Sequence, residues 1–319
     1  MKKKIAILGS TGSIGKTTFD ILKKNKNQYE IVLLTTNQNI NLLIKQSKFF
    51  NVKNLIVTDK KKFLLLKKKL NKKKINIFNN FDSFNKIFKR KIDYTMSSIS
   101  GLDGLKPTLE IIKFTKKIAI ANKESIICAW NLINKKLIRY KTIFIPVDSE
   151  HFSIWSLLAG TPKSRIDEII ITASGGPFLN LPIKNFKNIT INKALKHPNW
   201  SMGKKISIDS ATMMNKVFEI MEAQKIFNIE YKKFTMMIHP KSYLHAIVKL
   251  NNGLIKFLAH DTDMKIPIFN SVITSNYDTI KTNKINYQFL NNLQLSEVSL
   301  ERFPCIGIVK KVNDKISLY

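Results

Sequence analysis

The chain has 319 residues, 44% of them hydrophobic, and carries 54 Lys and Arg against 22 Asp and Glu, which gives a formal net charge of +32. This length can bury cores for two domains, and no apolar run is long enough to cross a membrane. The composition therefore excludes an integral membrane protein and favours a soluble, cytoplasmic one. The two cysteines, Cys128 and Cys305, match no metal or redox spacing, and the first motif begins at residue 9, which leaves no room for a signal peptide.

The positive charge raises the question of nucleic-acid binding, since a basic surface attracts phosphate without reading sequence. The lysines stand in short scattered runs such as Lys2–Lys4 and Lys67–Lys69, without interleaved aromatic residues or arginines suited to stacking or base readout. We therefore expect no specific nucleic-acid partner and assign most of the charge to solvated surface. A basic DNA-binding protein remains the alternative, and it predicts a salt-sensitive affinity for DNA.

The N-terminal segment has the pattern of a dinucleotide-binding unit. A buried strand is predicted at Lys4–Leu8, followed by the glycine-rich segment GSTGSIG (residues 9–15) and a helix over Thr17–Lys24. Glycines allow a tight turn and a close approach to a pyrophosphate, which the helix N-terminus attracts. A nucleoside-triphosphate P-loop is disfavoured, because its first glycine would have to stand at position 10, which is Ser10.

Further strands alternate with lysine-rich helical segments, which predicts an α/β fold with a Rossmann-like, doubly wound parallel sheet. The strand at Ile31–Leu34 is followed by no acidic residue that could hold a ribose 2′-hydroxyl, so NADP is favoured over NAD. The other predicted strands are Asn54–Val57, Ile75–Phe78, Tyr94–Ser97 and Ile118–Ala121. Asn122, Lys123 and Glu124 follow the last of these, where a cofactor would meet its substrate.

The segment PVDSEH (residues 146–151) follows the apolar run Ile143–Ile145 and contains two acids. In an extended backbone Asp148 and Glu150 would share one face while Ser149 points away. Two converging carboxylates are suited to Mg²⁺ or Mn²⁺, which prefer oxygen ligands. The alternative is a strand end with two solvated acids.

The second half of the chain carries three more polar motifs. ASGGPF (residues 173–178) could wrap a phosphate with Ser174 or form a plain turn, and HPNWSMG (residues 197–203) predicts a mobile lid or an ordered loop with Trp200 buried. The segment from Ile206 reads as a strand or turn that caps into a helix at Asp209 or Ser210. On that helix Asn215, Lys216 and Glu219 would share a face, either in an ion pair or with Glu219 as a third metal ligand.

Taken together and in this order, GSTGSIG, ANKES, VDSEH, ASGGPF, HPNWSMG and IDSATMMNK resemble the family of 1-deoxy-D-xylulose-5-phosphate reductoisomerases. The resemblance runs from about residue 4 to about residue 308. It implies NADPH-dependent isomerisation and reduction of 1-deoxy-D-xylulose 5-phosphate to 2-C-methyl-D-erythritol 4-phosphate, in non-mevalonate isoprenoid biosynthesis. It also implies a Mg²⁺ or Mn²⁺ ion and a homodimer, whose shared sheet could use the strand near Thr235–Ile238. A catalytically impaired homologue retained as a binding protein is the alternative.

The resemblance also implies roles for single residues. The implied metal ligands are Asp148, Glu150 and Glu219, and these three with Lys123 and His197 form the implied catalytic set. The implied substrate contacts are Lys123, Ser149, Glu150, Ser174, His197, Trp200, Ser210, Asn215, Lys216 and Glu219. The implied cofactor contacts are Thr11, Gly12, Ser13, Ile14, Asn37, Gln38, Asn39, Asn122, Glu124 and Gly203.

Some positions depart from the family pattern. Asn37 and Gln38 stand where a small residue followed by a basic one is usual, Val217 replaces a glycine, and residues 260–265 (HDTDMK) replace a Gly-x-Pro-Asp-Met-Arg loop. The chain also ends at Tyr319, where most of a C-terminal helical domain would follow. We expect an NADPH-binding domain at residues 1–149, an α+β catalytic and dimerisation domain at 150–287, and a remnant of the helical domain at 288–319.

Overall fold

The computed structural model describes residues 1–70, 74–200, 203–273 and 279–312. Contacts within the chain divide it into two compact units. Unit 1 comprises Met1–Val147 and Pro267–Asp278, and unit 2 comprises Asp148–Ile266 and Thr279–Tyr319. The expected division into three domains stays a prediction. Ser201 and Met202, in the segment expected to form a lid, lie outside the described residues.

Unit 1 contains a parallel sheet of seven strands within the described ranges, in the order β4-β3-β2-β1-β5-β6-β7. The strands are β1 (Lys3–Leu8), β2 (Tyr29–Thr36), β3 (Asn54–Val57), β4 (Asn76–Phe78), β5 (Ile92–Ser97), β6 (Thr115–Ile120) and β7 (Ile143–Pro146). The helices between them are α1 (Ser13–Lys24), α2 (Ile40–Phe50), α3 (Lys60–Leu70), α4 (Phe84–Ile87), α5 (Leu105–Ile111) and α6 (Lys123–Arg139). The predicted doubly wound α/β fold is confirmed.

The local sequence explains these elements. Residues Ile5–Leu8 of β1 are at most 1% exposed, as expected for a parallel strand that is covered on both faces. In the lysine-rich α3 only Leu66 and Leu70 are buried, so its lysines face water. The order in which strands are added changes sides at β1: β2, β3 and β4 lie on one side of it, and β5, β6 and β7 lie on the other. Ligands of open α/β sheets bind at such a switch point, beyond the carboxyl ends of the strands.

Unit 2 contains a mixed sheet in the order β11-β10-β8-β9-β12. Its strands are β8 (Ile166–Ala173), β9 (Phe234–Ile238), β10 (Leu244–Leu250), β11 (Ile255–Ala259) and β12 (Ser296–Glu297). Its helices are α7 (Ser149–Leu157), α8 (Ile191–Ala194), α9 (Lys204–Ala211), α10 (Met214–Phe227), α12 (Tyr287–Asn291) and α13 (Gly307–Lys311), while α11 (Lys265–Val272) passes from unit 2 into unit 1. A buried cluster of Ala173, Met213, Ile238, Phe303 and Ile306 joins the sheet to the C-terminal residues.

Two local predictions in unit 2 were wrong. Residues 206–208 were expected to form a strand or turn, but they lie inside α9, which buries Ser207 and Ala211 at i, i+4 spacing. The expected helix start at Asp209 or Ser210 is also wrong, because both residues lie inside α9, which ends at Ala211, and α10 begins at Met214. Met213 separates the two helices in a left-handed conformation, with φ of 60°.

Candidate active site

The turn after β1 presents backbone N–H groups at the start of α1. Gly9 has φ of +78°, and the N–H of Gly12 donates to the Gly9 carbonyl at 3.0 Å. A Cβ atom at Gly15 would lie 2.2 Å from the Gly9 carbonyl oxygen, so only glycine allows the helix to approach the strand this closely. Ser10 holds the turn in place, because its hydroxyl donates to Oε1 of Gln46 and its carbonyl accepts Nε2 of Gln46. The predicted contacts Thr11, Gly12, Ser13 and Ile14 therefore lie at the N-terminus of a helix, where a pyrophosphate is stabilised.

The end of β2 carries neutral side chains that bond to the next strand. Nδ2 of Asn37 donates to Oγ1 of Thr58 at 2.8 Å, and Nε2 of Gln38 donates to Oδ2 of Asp59 at 3.5 Å. Asn39 caps α2 by accepting the N–H of Leu42 at 3.1 Å. Sequence reasoning sought an acid only after β2 and missed Asp59, which the neighbouring strand β3 brings to the same edge of the sheet.

The predicted Asn122-Lys123-Glu124 segment lies at the carboxyl end of β6. Asn122 is buried and caps α6, because its Oδ1 accepts the N–H of Ser125 at 2.8 Å while its Nδ2 donates to the Gly101 carbonyl at 2.7 Å. Its amide therefore ties the glycine-containing loop after β5 to the end of β6. Lys123 and Glu124 form the first turn of α6.

In unit 2 the structure brings Asp148, Glu150 and Glu219 together. Each offers a carboxylate oxygen, and these oxygens lie within 4.8 Å of one another. The expected extended backbone at this point is wrong: Asp148 is the N-cap of α7, and residues 149–157 are helical. A carboxylate at this position is favoured by the unpaired N–H groups of the first turn, and Oδ1 of Asp148 accepts the N–H of Ser149 at 3.0 Å. The hydroxyl of Ser149 turns to Glu150, with its Oγ 2.5 Å from Oε2.

The ammonium of Lys216 bridges two of these acids. It donates to Oε2 of Glu219 at 2.5 Å and to Oε1 of Glu150, and Nδ2 of Asn215 donates to the other oxygen of Glu219. Burial by itself would lower the pKa of Lys216, but the carboxylates of Glu150 and Glu219 outweigh burial and raise the pKa above its usual value. The predicted shared face of Asn215, Lys216 and Glu219 on α10 is therefore present.

Two buried residues that sequence reasoning left without a role adjoin the acids. Nδ1 of His151 lies 3.7 Å from Oδ2 of Asp148 and 3.9 Å from Oε2 of Glu222, and its Nε2–H donates to the Glu219 carbonyl at 2.8 Å. Both His151 and Glu222 are 1% exposed. The sequence did contain a signal for both. His151 follows Asp148 by three residues and Glu222 follows Glu219 by three, a spacing that places each pair on the same face of a helix.

The loop after β8 holds Ser174 next to His197. Nδ1 of His197 accepts the N–H groups of Asn199 and Trp200 at 3.2 and 3.0 Å, so the ring proton is on Nε2, which donates to Oγ of Ser174 at 3.0 Å. Oγ also accepts the N–H of Gly176 at 3.1 Å, which leaves the hydroxyl hydrogen of Ser174 to donate to a ligand. Burial, with the nearby Lys216 charge second, lowers the pKa of His197 to about 4.

Ser210 belongs to the same neighbourhood, while Gly203 lies at the other end of α9. Gly176 has φ of +67°, and a Cβ there would lie 2.8 Å from the Ser210 carbonyl oxygen, so the loop after β8 packs closely against the end of α9. Gly203 is the N-cap of α9. The Trp200 ring lies 6.2 Å from the ring of His245 in an edge-on arrangement.

A pair of stacked imidazoles, also missed by sequence reasoning, lies next to the Trp200 ring. The rings of His245 and His260 are 3.7 Å apart, and Nε2 of His245 donates to the His260 carbonyl at 3.1 Å. Burial first and the His260 ring second lower the pKa of His245 to about 3. Both rings are therefore neutral near pH 7.

Comparison with known proteins identifies the family. A sequence profile described as 1-deoxy-D-xylulose 5-phosphate reductoisomerase matches residues 5–130, and the profile of the C-terminal domain of the same enzyme matches residues 144–227. The 1-deoxy-D-xylulose 5-phosphate reductoisomerase of Pelagibacter ubique (strain HTCC1062) is 61% identical over 99% of this chain and 82% of its own length. The chain belongs to the 1-deoxy-D-xylulose 5-phosphate reductoisomerase family.

Solved structures of 1-deoxy-D-xylulose 5-phosphate reductoisomerases agree with this assignment. The enzyme from Zymomonas mobilis in complex with NADPH superposes with a TM-score of 0.88 at 32% identity, covering 98% of this chain and 81% of its own. A reductoisomerase in complex with NADPH, fosmidomycin and magnesium gives a TM-score of 0.87 at 31% identity, covering 97% of this chain and 79% of its own. The resemblance drawn from the six motifs is confirmed.

The residues present fit the groups that reductoisomerases of this family bind. Three carboxylate oxygens within 4.8 Å form the hard donor set that Mg²⁺ or Mn²⁺ requires. In unit 1, the glycine turn and the start of α1 supply the N–H groups and close approach that a dinucleotide requires. The roles of single residues stay predictions. In the parts of the chain that the structure describes, none of the helices has the length and apolar character to span a membrane.

Proposed function

We propose that this chain catalyses the NADPH- and divalent-metal-dependent isomerisation of 1-deoxy-D-xylulose 5-phosphate and its reduction to 2-C-methyl-D-erythritol 4-phosphate, in isoprenoid biosynthesis. The observation that carries the proposal is the convergence of Asp148, Glu150 and Glu219, three acids from two helices, within 4.8 Å. Family membership gives the substrate class. The alternative of an impaired binding protein is not favoured by any feature of this acidic cluster.

Asp148, Glu150 and Glu219 would hold the Mg²⁺ or Mn²⁺ ion. When bound, such an ion supplies Lewis-acid stabilisation of negative charge on ketone and hydroxyl oxygens. The helices keep the carboxylates in place without it: Asp148 is fixed as the cap of α7, and Glu219 is held by Asn215 and Lys216 one turn away on α10. Preorganised ligands cost little reorganisation when charge develops in the reaction.

The loop after β8 is suited to the substrate phosphate. Ser174 has a hydroxyl hydrogen to donate, and the Gly175-Gly176 turn, in which both glycines have positive φ, fixes the Ser174 oxygen through the Gly176 N–H. His197 holds the Ser174 oxygen with its Nε2–H and stays neutral because its pKa is lowered. Ser210 adjoins this loop, so we propose Ser174, His197 and Ser210 as the phosphate side of the substrate site, with Trp200 as its cover.

In unit 1, we assign the NADPH pyrophosphate to residues 11–14 and the adenosine ribose to residues 37–39. The turn between β1 and α1 provides N–H donors for the pyrophosphate. The amides of Asn37 and Gln38, at the end of β2, are available to the ribose. Lys123 and Glu124, at the start of α6, are assigned to the reacting end of the cofactor and substrate. These assignments follow the edge of the sheet at which all three segments lie.

The deciding experiment is a spectrophotometric assay of NADPH oxidation by the purified chain with 1-deoxy-D-xylulose 5-phosphate, with and without Mn²⁺. We expect turnover that requires the metal and is lost in Glu219→Gln. Glu230→Gln is the matched control, since Glu230 is an exposed acid that pairs with Lys232 on the same unit. A rate of NADPH oxidation that does not depend on Mn²⁺, or that is equal in Glu219→Gln and Glu230→Gln, would contradict the proposal.

We also propose a cytoplasmic homodimer. The expected dimer strand, β9, already lies between β8 and β12, whereas the outer strand β11 exposes Ile255 and Phe257 on one face, at 62% and 54%. Exposed apolar residues on an edge strand are typical of an interface. Light scattering should give twice the chain mass. Phe257→Glu should shift the chain towards monomer, whereas the control Ile191→Glu, which changes an exposed isoleucine outside β11, should not. A monomeric wild-type chain would contradict the homodimer.

A further inference from the structure

Arg302 reaches from the C-terminal part of unit 2 to the turn that follows Gly175 and Gly176. Its Nη1 donates to the carbonyl of Phe178 at 2.8 Å and to the carbonyl of Leu181 at 2.6 Å. These two residues are the ends of one turn, since the N–H of Leu181 donates to the Phe178 carbonyl at 3.2 Å. Hydrogen bonds from a cationic donor are stronger than neutral ones, so the guanidinium holds both ends of the turn in place.

The arginine is itself held on two sides. Its backbone N–H donates to Oγ of Ser299 at 3.3 Å, and the next residue, Phe303, is 3% exposed within the buried cluster of the sheet. The guanidinium lies over the Phe186 ring, 5.5 Å from its centre, an arrangement that suits a planar cation. Phe186 in turn packs against a second buried cluster, which consists of Phe178, Ala194 and Ala211. Arg302 therefore links the core of the sheet to the residues that pack against α8 and α9.

The turn of residues 178–181 comes directly after the residues that fix the Ser174 hydroxyl. Oγ of Ser174 accepts the N–H of Gly176, and Gly176 packs so closely that a Cβ there would lie 2.8 Å from the Ser210 carbonyl oxygen. Leu179, inside the turn, packs against Gly175, where a Cβ would lie 2.7 Å from Cδ1 of Leu179. Close packing transmits displacements, so a shift of the turn would also shift the glycines and the Ser174 oxygen.

We propose that Arg302 is a positioning residue for the substrate phosphate, which acts by holding the turn of residues 178–181 and thereby the hydroxyl of Ser174. Nη1 donates both of its hydrogens to the two carbonyls, so the role of this nitrogen is to order the loop. The inference rests on the proposed function for the substrate. The competing explanation is that Arg302 stabilises the fold and has no effect on phosphate binding.

The test compares Arg302→Met, Arg302→Lys and the control Arg165→Met, which removes an exposed arginine just before β8. Calorimetric titration with inorganic phosphate and with 1-deoxy-D-xylulose 5-phosphate, in Mn²⁺ without NADPH, gives the dissociation constants, and steady-state kinetics give kcat and KM. We expect Arg302→Met to raise both dissociation constants and KM about tenfold with a smaller change in kcat. Arg302→Lys keeps the charge on a shorter side chain without the planar face, and should raise them about threefold. Arg165→Met should change none of them.

A double-mutant cycle distinguishes positioning from a merely structural role. If Arg302 acts through Ser174, Arg302→Met should raise KM less than about threefold in the Ser174→Ala chain, because the two changes remove the same interaction. Full additivity of the two changes would contradict the proposed coupling. Wild-type values of KM and of both dissociation constants in Arg302→Met, with only a lower stability in urea, would assign Arg302 to the fold alone and overturn the proposal. If Arg302→Met does not fold, a wild-type phosphate affinity in Arg302→Lys would overturn it.

The phosphate titration separates this inference from the proposed function. Inorganic phosphate that binds the wild type and binds Arg302→Met more weakly, without metal-dependent turnover of 1-deoxy-D-xylulose 5-phosphate, would sink the proposed function and leave the positioning role standing. Turnover by the wild type with unchanged affinities in both Arg302 variants would contradict the positioning role alone. A wild-type chain that binds neither inorganic phosphate nor the phosphorylated sugar would contradict both.

Discussion

The ammonium nitrogen of Lys216 lies 2.5 Å from Oε2 of Glu219, one turn further along the same helix, and both side chains are almost completely buried. The same ammonium contacts Glu150, so one cation is shared by two acids of the candidate metal site. A buried carboxylate that loses its partner keeps the cost of its desolvation. The lysine therefore stabilises the folded chain as well as belonging to the candidate substrate site.

We expect Lys216→Met to lower the free energy of unfolding by about 3 kcal/mol in the absence of divalent metal, because it leaves Glu150 and Glu219 without their shared cation. Addition of Mn²⁺ should recover part of that loss, since a ligand that binds the folded state stabilises it. Urea unfolding with and without Mn²⁺ measures both effects. Lys205→Met is the control, because Lys205 pairs with Asp209 at 2.7 Å on an exposed surface and should cost less than about 0.5 kcal/mol. Equal losses in the two variants would contradict this view.

The hydroxyl of Ser174 should contribute to phosphate binding more than to chemistry. We expect Ser174→Ala to raise KM for 1-deoxy-D-xylulose 5-phosphate about tenfold with a smaller change in kcat, the effect expected of one hydrogen bond to a charged group. Steady-state kinetics at saturating NADPH and Mn²⁺ measure this split. Ser164→Ala, at an exposed position on the same unit, should change neither constant. An unaltered KM in Ser174→Ala would remove Ser174 from the phosphate side of the site.

The sequence was most informative where chemistry is local. The run Ile5–Leu8 and the glycines after it predict a buried strand and a cradle, and the structure has both. The acids were found because motifs mark them, even though the premise of an extended backbone at Asp148 was wrong. What could not be read is proximity between distant segments: Asp59 reaches Gln38 only through the pairing of β2 with β3.

The helix α9 shows a different limit. Its alternation of Ile206, Ser207 and Ile208 has a strand-like period, yet both isoleucines are exposed and Ser207 is buried. Over so short a segment, a strand period of two residues and a helix period of three to four residues fit the same pattern of polar and apolar side chains. Tertiary packing therefore decides between strand and helix. The loop after β8, which abuts the end of α9 through Gly176, supplies that packing.

Glu222 should support the metal ligands through His151. The ring lies between Asp148 and Glu222 and holds the Glu219 carbonyl, so it connects two ligands of the candidate site. Residues that orient ligands typically change metal affinity by about 10- to 100-fold when altered. We expect Glu222→Gln to weaken Mn²⁺ binding by about tenfold or more in calorimetric titration. Glu230→Gln should bind Mn²⁺ as the wild type does, and a wild-type affinity in Glu222→Gln would show that Glu222 only fills space.

Acid should destabilise the folded chain through its buried histidines. Burial lowers the pKa of His245 to about 3 and that of His197 to about 4, and it also lowers the pKa of His239 and His260. In the unfolded chain a histidine titrates near pH 6.5, so below that pH the unfolded state binds more protons than the folded state. Stability is therefore full above about pH 6.5 and is lost as pH falls towards the folded pKa values.

His245 is 2% exposed, and its share of this loss between pH 7.5 and pH 5.0 should be about 2 kcal/mol. Urea unfolding at the two pH values should show a difference smaller by about that amount in His245→Asn, because asparagine does not titrate. Each variant serves as its own control, since the comparison is between pH values within one chain. A pH dependence that is the same in wild type and His245→Asn would mean that His245 is protonated in the folded chain despite its burial against the His260 ring.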